Sequence, residues 1–343
     1  MIPVFRMELG AASPRARGRQ IGETCRVAIA DARRRLRAET EVTGGVDEGD
    51  ALARMDDRHP ELAAELTGMA EGAGCTPSEL LQLQAAADGR AHVAPGCGLT
   101  TALHVHGAGG SMIAGAVNGG LLSWGVVLTS HCVDDHTIVA LRSLGGLAWA
   151  GVNSRGLGVM AAHPPWGARV LEADGWQITL RRALRQHDVA SARATLKAAT
   201  RRGGRYWLIS DGADSEGIES SPSLFAVTRR GARVAHVHTD HYFDAGLRAR
   251  AGVEVSPRSY RRMELASSMY VQRQPENVEA LFDFFDALDH THGATGDEKV
   301  EDNDASVLGV SVKFVAQCGT RTLHVSSGES ASHLPTRMVA ASQ

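Results

Sequence analysis

In the stretch "APGCGLTTALHV", Ala94 to Val105, a cysteine stands between two glycines just ahead of a run of strand character. A thiol with a pKa near 8.5 is only partly ionised at neutral pH and needs a base. A cut between Gly96 and Cys97 would supply one. The new α-amine, with a pKa near 7.7–8.0, can take the thiol proton without a histidine. Gly96 lets the backbone bend so that the sulfur reaches its own preceding carbonyl. Taken alone, these residues leave Cys97 open between a packed free thiol and a nucleophile.

A second stretch, "HVHTDH", holds His236, His238, Asp240 and His241 and resembles the binuclear metal-binding phrase of the metallo-β-lactamase superfamily. In such a phrase the first two histidines bind one metal and the Asp-His pair a second. His290, His292, Asp302, Asp304 and His324 lie downstream as further ligands, but only about a hundred residues follow the phrase. His104 and His106 share a strand face by period two and have no evident third ligand. "GAGGSM" and "LGGLAW" lack the Lys-Ser/Thr of a phosphate loop and read as hairpin turns.

The elements that must position these residues fall into blocks. Pro14 to Thr40 reads as one helix, with Ile21, Cys25, Ile29, Ala32 and Leu36 on one face. The arginines of "SPRARGRQ" and "ARRRLRAET" read as its solvated side. "HPELAAELTGMAEGAG" predicts a second helix closed by Gly72 and Gly74. "TPSELLQLQ" predicts a third, with a capping box from Thr76 and Glu79. From Thr100 the period changes, and "TALHV", "SMIAGAV", "WGVVLTS", "HTIVALRS", "LAWAGV" and "LGVMAAH" read as strands. Two helices follow, the second capped by Asp188. Then come the strands "RYWLIS", "LFAVTRR" and "RVAHVHT", two helices over about 258–272 and 275–288, and the strands "SVLGVSVKF" and "TRTLHVSS". Between the last helix and these strands, "GATGDEKVEDNDAS" reads as a loop. Phe282, Phe284 and Phe285 belong to a helix core. Runs of strands between paired helices predict antiparallel sheets covered by helices, an α+β layered domain.

Composition narrows the function. The 343 residues are 43% hydrophobic and 22% charged with a formal charge of −3, so there is no basic excess to suggest a nucleic-acid partner. No run reaches the roughly 18 apolar residues of a membrane span. The N-terminal stretch has no signal-peptide core. Five scattered cysteines without a C-x-x-C pair argue for a reducing, cytoplasmic setting.

The order of features resembles the acyl-coenzyme A:6-aminopenicillanic acid acyltransferase family, or isopenicillin N acyltransferase-like proteins. The resemblance rests on "GRQIGE" at Gly18–Glu23, "GAGCTPSELLQLQ", the Gly-Cys ahead of "TTA", and the Asn of "GAVNGG". It continues through "GVNSRGLGVM", "HTDHYFDAG" and "SYRRMELASS", covering about residues 8 to 330. It implies a four-layer αββα N-terminal-nucleophile hydrolase fold that cuts its own chain between Gly96 and Cys97. Residues 1–96 would form a mainly helical small subunit and 97–343 a sheet-rich large one. Cys97 would be the nucleophile, Asn118 and Asp240 would line the site, and His241 would lie near the substrate. The substrates would be small N-acyl amino compounds, with no cofactor and with acyl-coenzyme A as a possible donor.

The sequence departs from that pattern in three places. Gly98 and Leu99 intervene between Cys97 and Thr100, Asn118 is followed by Gly119-Gly120 without the usual aspartate, and Asp240 stands where the family has an asparagine. Asp240 could be protonated, or could bind a cationic amine on the substrate, the role the family match favours. Two other readings stay open: an inactive relative that keeps the fold as a binding protein, and a binuclear metallohydrolase on His236, His238, Asp240 and His241. The sequence leaves the oligomeric state undetermined.

Overall fold

The computed structural model describes residues 2–43, 50–89, 100–107, 109–118, 121–167, 170–294, 311–327 and 336–339. The chain begins with β1 (Val4–Gly10) and five helices, α1 (Pro14–Thr24), α2 (Arg26–Thr43), α3 (Ala51–Arg58), α4 (Pro60–Ala73) and α5 (Pro77–Gly89). Six strands follow: β2 (Thr100–Gly107), β3 (Gly110–Asn118), β4 (Val126–Val133), β5 (His136–Ser143), β6 (Ala150–Asn153) and β7 (Gly158–Ala162). Helices α6 (Trp176–Ala183) and α7 (Val189–Ala198) precede β8 (Arg205–Ser210), β9 (Ser215–Ser220), β10 (Phe225–Arg230) and β11 (His236–His238). Then come α8 (Ala245–Arg250), α9 (Pro257–Arg273), α10 (Val278–Ala294), β12 (Ser311–Gln317), β13 (Thr322–Ser327) and β14 (Thr336–Val339).

The strands make two sheets, of order β1-β4-β5-β6-β7-β8-β9-β10 and β11-β2-β3-β12-β13-β14. Alternation along each strand decides what each face meets. Ala102, Ile113, Val117 and Phe314 of the six-stranded sheet share a core with Leu128, Ile138, Val159 and Ile209 of the eight-stranded one. The opposite parity of the six-stranded sheet, Leu103, Val105, Ala114 and Val315, packs on Phe284, Phe285 and Ala266 of α9 and α10. On the other sheet, Met7 and Val127 pack on Ile21, Leu66 and Met69 of α1 and α4. The fold is α+β, as the blocks of strands and helices predict.

Several local signals act as read. Glu79 accepts from the Thr76 N–H at 2.9 Å and its own N–H donates to Thr76 Oγ1 at 3.3 Å. Asp188 and Ser191 form a reciprocal cap on α7. Gly74 ends α4 in the left-handed conformation, φ 71°. Among the differences, β1 pairs in parallel with β4. The helix expected from Pro14 to Thr40 is two, meeting at the fully buried Cys25. The polar segment "SEGIES" is strand β9: Ser215 and Glu219 meet His236 and His238, while Glu216 pairs with Arg193 and Arg230 and Ser220 accepts from Trp207. Arg17 is also not on a solvated side; it is buried.

The meeting of α1 and α4 explains the glycines of "GRQIGE". A Cβ on Gly18 would collide with the Glu65 carbonyl, and one on Gly22 with the Met69 carbonyl. Gly68 and Gly72 meet the Arg15 and Arg19 carbonyls in the same way. Gly22→Ala gains about 1 kcal/mol of helix propensity. Forcing two backbones apart costs about 1–3 kcal/mol or more. The clash involves backbone that cannot swing away, so a net loss is expected, read as a lower urea midpoint; an unchanged or raised midpoint would show that the helices re-space freely.

Candidate active site

Gly96, Cys97, Gly98 and Leu99 lie outside the described residues, so the site is built from the chain on which they end. β11 runs antiparallel to β2 with His236 opposite His104 and His238 opposite Ala102. Continuing that register by two residues brings Asp240 beside Thr100. The Thr100 N–H donates to Asp240 Oδ2 at 2.7 Å. Asp240 Oδ1 is buried and has no hydrogen-bond partner among the described residues. Burial pushes the carboxyl up to about 8, against the opposing effects of the Thr100 N–H and the Arg262 charge. At neutral pH this group is mostly a neutral acid, with a proton to give.

Thr101, Asn118 and Lys313 face the opposite side of the same sheet and meet α9 and α10. Arg262 is buried, and its Nε donates to Thr101 Oγ1 at 2.6 Å. Its Nη2 donates to Asp289 Oδ1 at 2.7 Å. Asn118 Nδ2 donates to the same Asp289 oxygen at 3.2 Å, which leaves Asn118 Oδ1 buried and unpartnered among the described residues. Lys313 pairs with Asp286 and lies 3.8 Å from Asp289 Oδ2. The Asp289 carboxyl is desolvated, but the Arg262 and Lys313 charges hold it below its ordinary value. This network fixes the first two residues of β2 and the last of β3 from behind.

The histidines of "HVHTDH" go to separate partners. His236 Nε2 meets Ser215 Oγ at 3.1 Å, and its ring stands edge-on to His104. His238 Nε2 donates to Glu219 Oε1 at 2.8 Å while the ring stacks on Tyr206 with centroids 3.6 Å apart. His241 Nδ1 bonds Ser259 Oγ at 2.9 Å and packs on Tyr260. Burial lowers all three, His236 to about 3 and His241 to about 4. Among the described residues no three His, Cys, Asp or Glu side chains converge as a metal site would need. Strand β11 sends His236 and His238 into the space between the sheets, where β9 receives them, while Asp240 turns to β2 and His241 to α9. The two histidines of "ALHVHG" also part company, His104 buried against Ser111 and His106 exposed at the strand end.

Arg262, Thr101, Asp289 and Lys313 were not singled out by the sequence. Arg262 left one signal: it shares the buried stripe of α9 with Ser259, Ala266 and Met269. An arginine on an apolar face needs a buried partner. The thiols are also informative. Burial pushes Cys25 and Cys318 up to about 12, so neither offers a thiolate at neutral pH.

No protein-family model matches the chain, and no curated protein matches it. Among solved structures the chain is similar to penicillin V acylase from Agrobacterium tumefaciens. The two share 14% identity with a TM-score of 0.43, over 69% of this chain and 84% of that one. Among the described residues no helix is long and apolar enough to cross a membrane.

Proposed function

We propose that this protein is a self-processing cysteine amidohydrolase or acyltransferase with a four-layer αββα N-terminal-nucleophile fold, of the acyl-coenzyme A:6-aminopenicillanic acid acyltransferase kind. The observation that carries the reading is Asp240. A carboxyl held neutral by burial, with one oxygen anchored on the Thr100 N–H and the other unpartnered, sits where the strand leading back to Cys97 begins. Thr100 is three positions on from Cys97, a reach of at most about 10 Å.

Processing begins with the Cys97 sulfur attacking the Gly96 carbonyl. The peptide nitrogen leaves as the α-amine of Cys97, and water then hydrolyses the thioester to free the Gly96 carboxylate. In turnover the α-amine takes the thiol proton, the thiolate adds to the substrate amide, and the amine product departs with that proton. Water or an amine acceptor resolves the acyl-cysteine thioester. The neutral Asp240 donates its Oδ1 proton in a hydrogen bond to the developing oxyanion, as an asparagine amide would. That role suits a protonated acid better than binding a cationic amine does, because the charge an amine needs is suppressed. Asn118, held by Asp289 behind the sheet, fixes the end of β3 that pairs with Thr100 and so supports the site from that side. His241, buried on Ser259, shapes the pocket wall. Small N-acyl amines are the substrate class, acyl-coenzyme A serves as donor in the transfer mode, and the setting is the cytoplasm.

The small subunit, residues 1–96, stays attached because β1 is hydrogen-bonded to β4 and its helices bury Ile21, Leu66 and Met69 on the sheet. Intact-mass spectrometry tests the reading. Wild type is expected as two fragments, 1–96 and 97–343, and Cys97→Ala as one chain. A wild-type chain that stays whole through purification and incubation would favour the inactive relative.

A further inference from the structure

A second polar cluster lies on the helix-covered outer face of the eight-stranded sheet. Glu65 of α4 is fully buried among three guanidiniums. Arg142 Nη1 donates to Oε1 at 2.6 Å, Arg181 Nη1 to Oε1 at 3.0 Å, and Arg181 Nη2 and Arg17 Nη2 each to Oε2 at 3.3 Å. Arg181 Nη2 also donates to His131 Nε2 at 2.7 Å. That histidine is neutral, since burial and the Arg181 charge hold it well below its ordinary value. Three cations therefore share one carboxylate, an excess of two positive charges in a place where unbalanced charge is costly.

Arg17 and Arg181 line a cavity of about 260 Å³ together with Arg58, His59, Arg182 and Arg185. The outer cations are accounted for. Arg185 pairs with Glu61 and Asp134, each at 2.7 Å, and Arg58 lies 3.5 Å from Asp174. The Arg182 carbonyl accepts from Gln186 Nε2, but its guanidinium has no hydrogen-bond or ion-pair partner among the described residues. Arg17 Nε and Arg181 Nε are buried N–H donors without acceptors there. The cavity wall thus carries surplus positive charge, and two of the side chains that line it, Arg17 and Arg181, also hold idle donors within the protein.

We propose that this cavity binds a phosphoryl group, the dianion of inorganic phosphate or of a small phosphomonoester. Guanidinium forks match the oxygens of such an anion in pairs, and two negative charges balance the buried excess. The site lies on α1, α3, α4 and α6 and uses none of the groups around Asp240, so it stands apart from the proposed catalysis.

Calorimetric titration with inorganic phosphate, and separately with glycerol 3-phosphate, tests this at constant ionic strength. Saturable binding with one site per chain is expected, equal in wild type and Cys97→Ala. Arg182→Gln removes a guanidinium that makes no hydrogen bond or ion pair among the described residues. It should weaken binding at least tenfold while leaving the unfolding midpoint without phosphate unchanged. Absence of saturable phosphate binding, or equal affinity in Arg182→Gln, overturns the proposal. Tighter binding of succinate than of phosphate overturns the phosphoryl assignment.

Discussion

Replacing Glu65 by glutamine is expected to cost about 3–5 kcal/mol at neutral pH, the scale for stripping the counter-charge from a buried ion cluster. The carboxylate sits on α4 but holds Arg17 of α1, Arg142 of β5 and Arg181 of α6, so it ties three elements to the sheet. An amide keeps the shape but leaves three guanidiniums facing one another. Burial alone would raise the Glu65 carboxyl; Arg181 and Arg142 outweigh it and hold the group well below its ordinary value. The sign follows from that direction. Stability contributed by a depressed carboxyl is present above the unfolded value near 4.3 and is lost as pH falls through the folded one. The gap between wild type and Glu65→Gln in urea unfolding should therefore be full at pH 7 and shrink on acidification below about pH 4. A difference under about 1 kcal/mol at pH 7 would show that the arginines find other counter-charges.

What the sequence reveals of this fold is what lies within one or two turns of chain. Thr76 with Glu79 and Asp188 with Ser191 are caps whose partners are three residues apart, so their types and spacing suffice. The strands from Thr100 to Ala162 show as apolar runs with glycine turns because both of their faces are covered. β1 is harder, since its pairing partner β4 lies more than a hundred residues on. β9 is hidden for another reason. Its Ser215, Glu216, Glu219 and Ser220 are buried, yet as a string they look like a surface loop. Their partners lie outside β9: Ser215 meets His236 and the Gly231 carbonyl, and Glu219 takes His238 and the N–H groups of Phe243 and Asp244.

The same limit applies to the candidate site. Asp240 and Asn118 stand out by type and place, whereas Arg262 and Asp289 become meaningful only when α9 and α10 are laid on the sheet beside Thr101 and Asn118. Glu65 carried a readable signal, a carboxylate between Leu62 and Leu66 in an apolar stripe. Its arginines, at separations of 48 to 116 residues, could not be paired with it beforehand.

Asp240→Ala is expected to lower kcat by about 10²–10³-fold, the usual effect of deleting one oxyanion donor, with the chain still folded. Asp240→Asn separates the donor role from the acid itself. The amide can accept from the Thr100 N–H through its oxygen and present its NH₂ where Oδ1 now stands. Turnover at pH 7 should then stay within about tenfold of wild type, and the pH dependence should change. In wild type the donor is lost when Asp240 ionises, so activity relative to Asp240→Asn should fall as pH rises through about 8. An amide has no such ionisation, and the alkaline limb should disappear in Asp240→Asn. Stability should respond with the same sign. A carboxyl whose folded pKa is raised stabilises fully below the unfolded value near 3.9 and loses that contribution as pH climbs towards 8. Asp240→Asn should accordingly flatten the stability profile between about pH 4 and 8. If Asp240 instead binds a cationic amine as a carboxylate, the outcome is opposite: the asparagine variant raises KM for cationic substrates alone, and wild-type activity relative to that variant climbs through pH 8 instead of falling. Measuring kcat and KM across pH 6–9 for both variants on one neutral and one cationic amide decides between the two roles.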